Sequence, residues 1–453
     1  MVNVFGGIFY FLLALGILVS IHELGHFIAA RACGVRVLRF SIGFGPILVK
    51  RTGKDGCEYA ISAIPLGGYV KMEGEDASSD DKALLSKTAF KAQSVAKRAV
   101  IVAAGPFFNI VLSVILFTIV NMSGISYSLP IVGDVVPGSK AELSGFKPFD
   151  KIVSVNGNNT ESWSDVMISF VEKIGSSGKF DVIVRSDLGK GEKRTISMSL
   201  EDSVLMRNES PLEKNGLRPC FGKALNVVDK VIEGSPAQRA SIKSGDTILS
   251  VNGISTDTWY RVSDAIANSS FDELTLVVQR DSKIYQTSLI PEKKQIRGTD
   301  KYRPFVGISA KVEKIEGLTK KVYYGLVDGF VKAIGDSVSM ARVIIVSAGK
   351  LITGSISADN VSGPIAIAKG AQESASFGLI MFLSFLGAIS VNLGILNLLP
   401  VPVLDGGHLV FLAYEAIFKK EPGPRIQMML TSIGALLLLL LTVFALFNDI
   451  KGF

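Results

Sequence analysis

The sequence predicts a multi-pass α-helical membrane protein with four transmembrane helices and two β-rich repeats inserted between the second and third. Three observations carry this reading. Four long apolar runs lack charge, Lys and Arg cluster in particular loops, and a block of sequence recurs at a constant offset.

The bulk numbers agree. The chain has 453 residues, 48% of them hydrophobic, and a mean hydropathy of +0.39. Such a composition points to several domains with a membrane part. Three cysteines, Cys33, Cys57 and Cys220, are too few for a disulfide framework. The net charge of +7 is explained by loop placement, and no basic-aromatic module suggests nucleic acid.

A helix needs about 20 apolar residues to cross a bilayer. The first run ends near Ala30. The second lies within Ala99 to Gly133 and reaches about Met122, the third within Ser374 to Leu404, and the fourth is Ile426 to Asn448. Six consecutive leucines centre the last one. The first run has no Lys or Arg before Arg31 and no clean small-residue cleavage site, so it reads as a retained span rather than a signal peptide.

Orientation follows the Lys/Arg bias. Residues 31–98 hold twelve Lys/Arg, including Arg31, Arg36, Arg39, Lys97 and Arg98 at the edges. That loop is expected in the cytoplasm, as is the connection bearing Lys419, Lys420 and Arg425. Both termini and the long segment from 123 to about 374 then lie outside. Cys33 and Cys57 fall in the reducing compartment, and Cys220 is alone outside.

Within the outer segment, VVPGSKAELSGFKPFDKIVSVNG (135–157) returns as VIEGSPAQRASIKSGDTILSVNG (231–253), 96 residues on. Asp150 matches Asp246, and the only two tryptophans, Trp163 and Trp259, also match. Alternating apolar residues before Asn-Gly read as strands closing on a tight turn. The pattern resembles PDZ domains, α+β modules of small β-barrel type that bind extended peptides at a sheet edge. The second copy fits well. The first departs at Lys140 and at Pro148-Phe149. Neither shows a clear carboxylate-binding loop, so peptide capture and steric filtering both stay open.

The chemistry sits in HELGH at the end of the first run. His22 and His26 are four apart, hence on one face of a helix. Both imidazoles can bind one Zn2+, with Glu23 as general base for the attacking water. The bland alternative is two histidines satisfied inside a bundle. Against it, these are two of only three histidines, set in an apolar run where an unpartnered polar group costs several kcal/mol. A catalytic zinc takes a third protein ligand. NLGILNLLPVPVLDGGHLVFL (392–412) offers Asp405 and His408, and spacing alone leaves both open. By the topology both motifs fall toward the cytoplasmic side.

HELGH, GPxxN in the second span (Gly105, Pro106, Asn109) and NxxPxPxxDGG near the third together resemble the site-2 intramembrane metalloproteases, along almost the whole chain. The resemblance implies the following. His22, His26 and Asp405 are ligands of Zn2+, and Glu23 is the catalytic base. Asn397, Pro400 and Pro402 hold the substrate strand. RFSIGFGPILVKR and CEYAISAIPLGGYVKM, short β-type runs, form a β-structure dipping toward the membrane. The substrate is a membrane-spanning peptide, an anti-sigma factor already trimmed by another protease or a signal-peptide remnant, which must unwind before its backbone is exposed. The implied place is a bacterial inner membrane with the PDZ pair in the periplasm, acting as a size filter.

The organisation expected is therefore a first span to residue 30, a cytoplasmic loop (31–97), a second span (98–122), PDZ copies at 123–206 and 207–296, and an amphipathic-helix region (297–374). A third span (375–400), the LDGGH connection (401–425) and a fourth span (426–448) follow. In the amphipathic region Tyr323, Val327, Phe330, Ile334, Val338, Ala341 and Ile345 recur at helical spacing, a face for a membrane surface or for the second PDZ copy. A non-catalytic PDZ scaffold or chaperone with a structural metal site is the competing reading. A purely structural site has no need of Glu23.

Overall fold

The structure is a computed structural model. It describes residues 4–75, 86–175, 178–200, 204–205, 209–295 and 302–451. The chain divides into two compact units. One comprises residues up to Ile125, Val322–Gly349 and Val361–Asp449; the other comprises Ser126–Lys321 with Lys350–Asn360 and the C-terminal residues.

The first unit is helical. Its helices are α1 (Val4–Ala32), α2 (Val95–Met122), α3 (Leu326–Ile352), α4 (Pro364–Ser376), α5 (Leu379–Asn397), α6 (Asp405–Phe418) and α7 (Pro424–Lys451). Among the described residues four helices are long and apolar enough to cross a membrane: Gly6–Ala32, α2, α5 and α7. α1, α2 and α5 form the centre, where Ala14 and Leu18 meet Leu116, Phe382 and Leu386. Ser94 opens α2 by accepting from the Lys97 amide, so the helix starts just past the basic loop. The leucines of α7 stay outward, Leu436 to Leu441 being 40–60% exposed, as suits a helix bathed in lipid.

The runs expected as β form two strands, β1 (Val37–Thr52) and β2 (Glu58–Met72). Each is folded on itself. Phe40 pairs with both Val70 and Tyr59, while Arg51 pairs with Tyr59. The order is therefore 47–52, 58–61, 37–42, 68–72. The stretch 68–72 has a partner on one side only among the described residues. Phe44, Leu48 and Val49 of β1 and Ile61 and Ile64 of β2 are exposed and apolar.

α3 carries the apolar face expected of this region from Val327 on, turned outward. It starts at Leu326, and the side it buries is Gly329, Ala333 and Ser337. Ser337 meets Ser113 of α2 at 3.1 Å, and Asn121 donates to the Gly329 carbonyl at 3.2 Å. Val327, Phe330, Ile334, Val338 and Ile345 point outward. Small and polar residues pack inward while apolar ones face out, the arrangement of helix contacts where the surroundings are as apolar as leucine.

The second unit holds the repeats, and they fold alike. Their sheets pair Lys151–Val155 with Phe180–Arg185, and Thr247–Val251 with Leu274–Arg280. Each repeat buries its aspartate, Asp150 or Asp246, under an arginine, Arg194 or Arg280. Each aspartate also accepts the amide three residues before it, from Lys147 or Lys243, at 2.8 Å. Where the second copy has Gly245 at φ 91°, the first has Phe149 at φ 66°. The departure read from sequence at Pro148-Phe149 thus falls on a left-handed position, costly for a bulky residue. The strand Ile308–Glu313 pairs with Lys223–Val231, so the second repeat's sheet extends past residue 296.

Candidate metal centre

HELGH occupies the last turns of α1, and its residues meet α2. Gly25 faces the Ala104 carbonyl closely enough that a Cβ would overlap it, and Gly105 does the same to the His26 ring. Small residues at a crossing let backbones approach. Here the approach brings the two imidazoles against α2.

His22 and His26 stand one turn apart, with Nε2 atoms 3.2 Å from each other. Asp405, at the start of α6, brings Oδ2 to 3.2 Å from His22 Nε2 and 3.6 Å from His26 Nε2. The three side chains are 11%, 12% and 20% exposed. A tetrahedral ion with bonds of about 2.0–2.1 Å holds its donors about 3.3–3.4 Å apart. The observed spacings fit such an ion. Two imidazoles and a carboxylate form a donor set suited to zinc. Burial alone would raise the Asp405 carboxyl, but hydrogen bonds and charge from His22 and His26 hold it below its ordinary value.

The rings are fixed from behind. His26 Nδ1 donates to the Ile101 carbonyl at 2.9 Å, which leaves Nε2 bare. His22 Nδ1 lies 3.1 Å from the Asn109 carboxamide. Glu23, half-buried, has its Cγ against β2, where a Cβ on Gly68 would stand 2.9 Å from it.

Spacing left Asp405 and His408 open. The structure joins Asp405 to the histidine pair, and His408 lies outside the set able to share one ion among the described residues. His408 is exposed on α6, its ring 6.3 Å from that of Phe411. Asn397 ends α5, and Pro400 and Pro402 lie in the turn before α6. None of these three enters the ligand set. Sequence reading missed the backs of the two rings. The Ile101 carbonyl leaves no trace in sequence, and Asn109 was visible only as part of GPxxN.

Helices able to cross a membrane, a His-His-Asp donor set and a glutamate between the histidines define a metalloprotease. Residues 10–441 match Peptidase family M50, and the chain belongs to that family of site-2 proteases. It is 39% identical over 441 residues to the Regulator of sigma-E protease RseP of Escherichia coli, covering 97% of each chain. A Vibrio cholerae relative carrying a zinc metalloprotease name is 37% identical over 444 residues, 97% of both. Protease RseP of Yersinia pestis is 36% identical over 450 residues, 99% of both.

Proposed function

We propose that the chain is a zinc endopeptidase that cuts the membrane segments of single-span proteins, with His22, His26 and Asp405 as ligands and Glu23 as base. The observation that carries this is the convergence of three ligand atoms from α1 and α6, all within 4.8 Å of one another, beside that glutamate. Zinc, when bound, polarises the scissile carbonyl and makes water a nucleophile near neutral pH. Glu23 takes the water's proton and passes it to the leaving amine.

A helical substrate hides its backbone and must unwind first. The 68–72 edge supports a place for the unwound strand, since an unpaired edge accepts an added strand. It passes Glu23 at Gly68. Asn397, Pro400 and Pro402 bound the strand from the α5–α6 side. The apolar tip of the β1–β2 sheet is suited to dip into the bilayer.

The relatives' names and the Lys/Arg bias extend the reading. The protein sits in a bacterial inner membrane with termini and repeats in the periplasm. The repeats act as a PDZ pair that filters substrates by size. The substrate is an anti-sigma-E factor already trimmed by a site-1 protease, and signal-peptide remnants are a second class.

The test is cleavage of a model single-span substrate by wild type and Glu23→Gln, with bound zinc quantified in both. The variant should keep zinc and lose cleavage by about 100-fold or more. Cleavage at the wild-type rate would remove Glu23 from the mechanism.

A further inference from the structure

We infer that Asn109 is a positioning residue for the metal centre: its side-chain oxygen accepts the Nδ1–H of His22 and holds Nε2 bare toward Asp405. This rests on the proposed reading of His22, His26 and Asp405 as zinc ligands.

Asn109 is wholly buried on α2, one turn beyond Gly105. Its Nδ2 faces His22 Nδ1 at 3.1 Å, and its Oδ1 is buried with no hydrogen-bond partner among the described residues. A donor facing Nδ1 requires Nδ1 to accept. The ring's proton then sits on Nε2, the atom 3.2 Å from both His26 Nε2 and Asp405 Oδ2. A ring protonated there cannot ligate a metal.

A half-turn of the carboxamide exchanges its two ends in nearly the same space. Oδ1 then receives Nδ1–H and Nε2 is freed. The exchange leaves the NH2 group unpaired in place of the carbonyl oxygen, so one end of the amide is without a partner in either orientation. The histidine decides the orientation. Its neighbour already has this arrangement, because the Ile101 carbonyl can only accept from His26 Nδ1. The two helices run antiparallel, so His26 meets Ile101 and His22 meets Asn109, with Gly105 between.

Asn109 is itself held by α5. Ser390 donates to its backbone carbonyl at 2.7 Å, and a Cβ on Gly394 would lie 3.5 Å from its Cβ. The helix that leads into Asp405 therefore steadies the residue that orients His22.

The competing role is packing alone, and two variants separate the two. Asn109→Asp keeps acceptor oxygens; Asn109→Leu keeps bulk and removes them. Zinc affinity is measured by chelator competition on the full-length protein in detergent. Asn109→Asp should bind within about threefold of wild type or tighter, and Asn109→Leu about 10–100-fold more weakly. Leucine binding as tightly as wild type, or aspartate more weakly than leucine, overturns the inference. If neither variant folds, the zinc-loaded protein labelled with 15N-histidine decides. The chain has three histidines. The two rings that survive His408→Ala should each carry a slowly exchanging Nδ1–H, and only one such ring overturns the inference. Should wild type bind no zinc, the ligand reading itself falls. Should wild type and Asn109→Leu bind equally, only the role of Asn109 falls.

Discussion

Gly105 of α2 lies against the ring of His22, so that a Cβ there would stand 2.9 Å from His22 Cε1 and overlap His26 Nε2. The absent side chain at Gly105 is what lets both imidazoles face Asp405 while their far nitrogens reach α2.

Gly105→Ala should therefore displace the ligands without unfolding the helices. We expect zinc affinity to fall about 10-fold or more, as for other losses of ligand orientation. Chelator competition measures it, with helicity checked by circular dichroism. Unchanged affinity would show that the rings have room to move aside.

Gly68→Ala tests the other wall of the site. Its Cβ would press on Glu23 Cγ and stand 2.8 Å from the Ser41 carbonyl. Glu23 is not among the ligands proposed, so zinc should stay while cleavage drops about 10-fold or more from a misplaced base. Loss of zinc in this variant would mean that β2 supports the ligands and not the base.

The choice between Asp405 and His408 has a direct check. Asp405→Ala should lose most bound zinc, and His408→Ala should keep it and cleave within about twofold of wild type, as expected for a surface substitution. Metal analysis after gel filtration distinguishes the two.

The second repeat carries a pH signature. Burial alone would raise the Asp246 carboxyl, but bonds from Arg280 at 2.7 and 2.8 Å and from the Lys243 amide more than reverse this. Its folded value is lowered. The stability it contributes is present above the unfolded value of about 3.9 and is lost as pH falls through the folded value. Asp246→Asn should cost about 2 kcal/mol at neutral pH, since it removes charge-assisted bonds to a partly exposed arginine, and should flatten the acid dependence. Urea unfolding followed through Trp259 in a Trp163→Phe background, from pH 3 to 7, measures both. An unaltered acid limb would assign the dependence to other groups.

Much of this protein is determined by sequence alone. Uncharged runs long enough for a bilayer mark the four spans, because charge is expensive in hydrocarbon wherever the chain places it. The 96-residue recurrence reports two units that fold alike down to paired aspartates, since a turn needs the same backbone chemistry each time it is made. The spacing of His22 and His26 already places them on one helix face.

Other features depended on contacts between segments far apart in the chain. Asp405 is 379 residues from His26 by number, and only the meeting of α1 with α6 selects it over His408. The buried side of α3 is its small residues, not its apolar periodicity, because what counts as inside depends on the neighbouring helix and the solvent. Ile101 supports His26 through a backbone carbonyl, a group every residue carries and no motif records. Local sequence sets which atoms are offered along each segment. Packing decides which offered atoms meet, since a few ångströms between helices separate a ligand from a bystander.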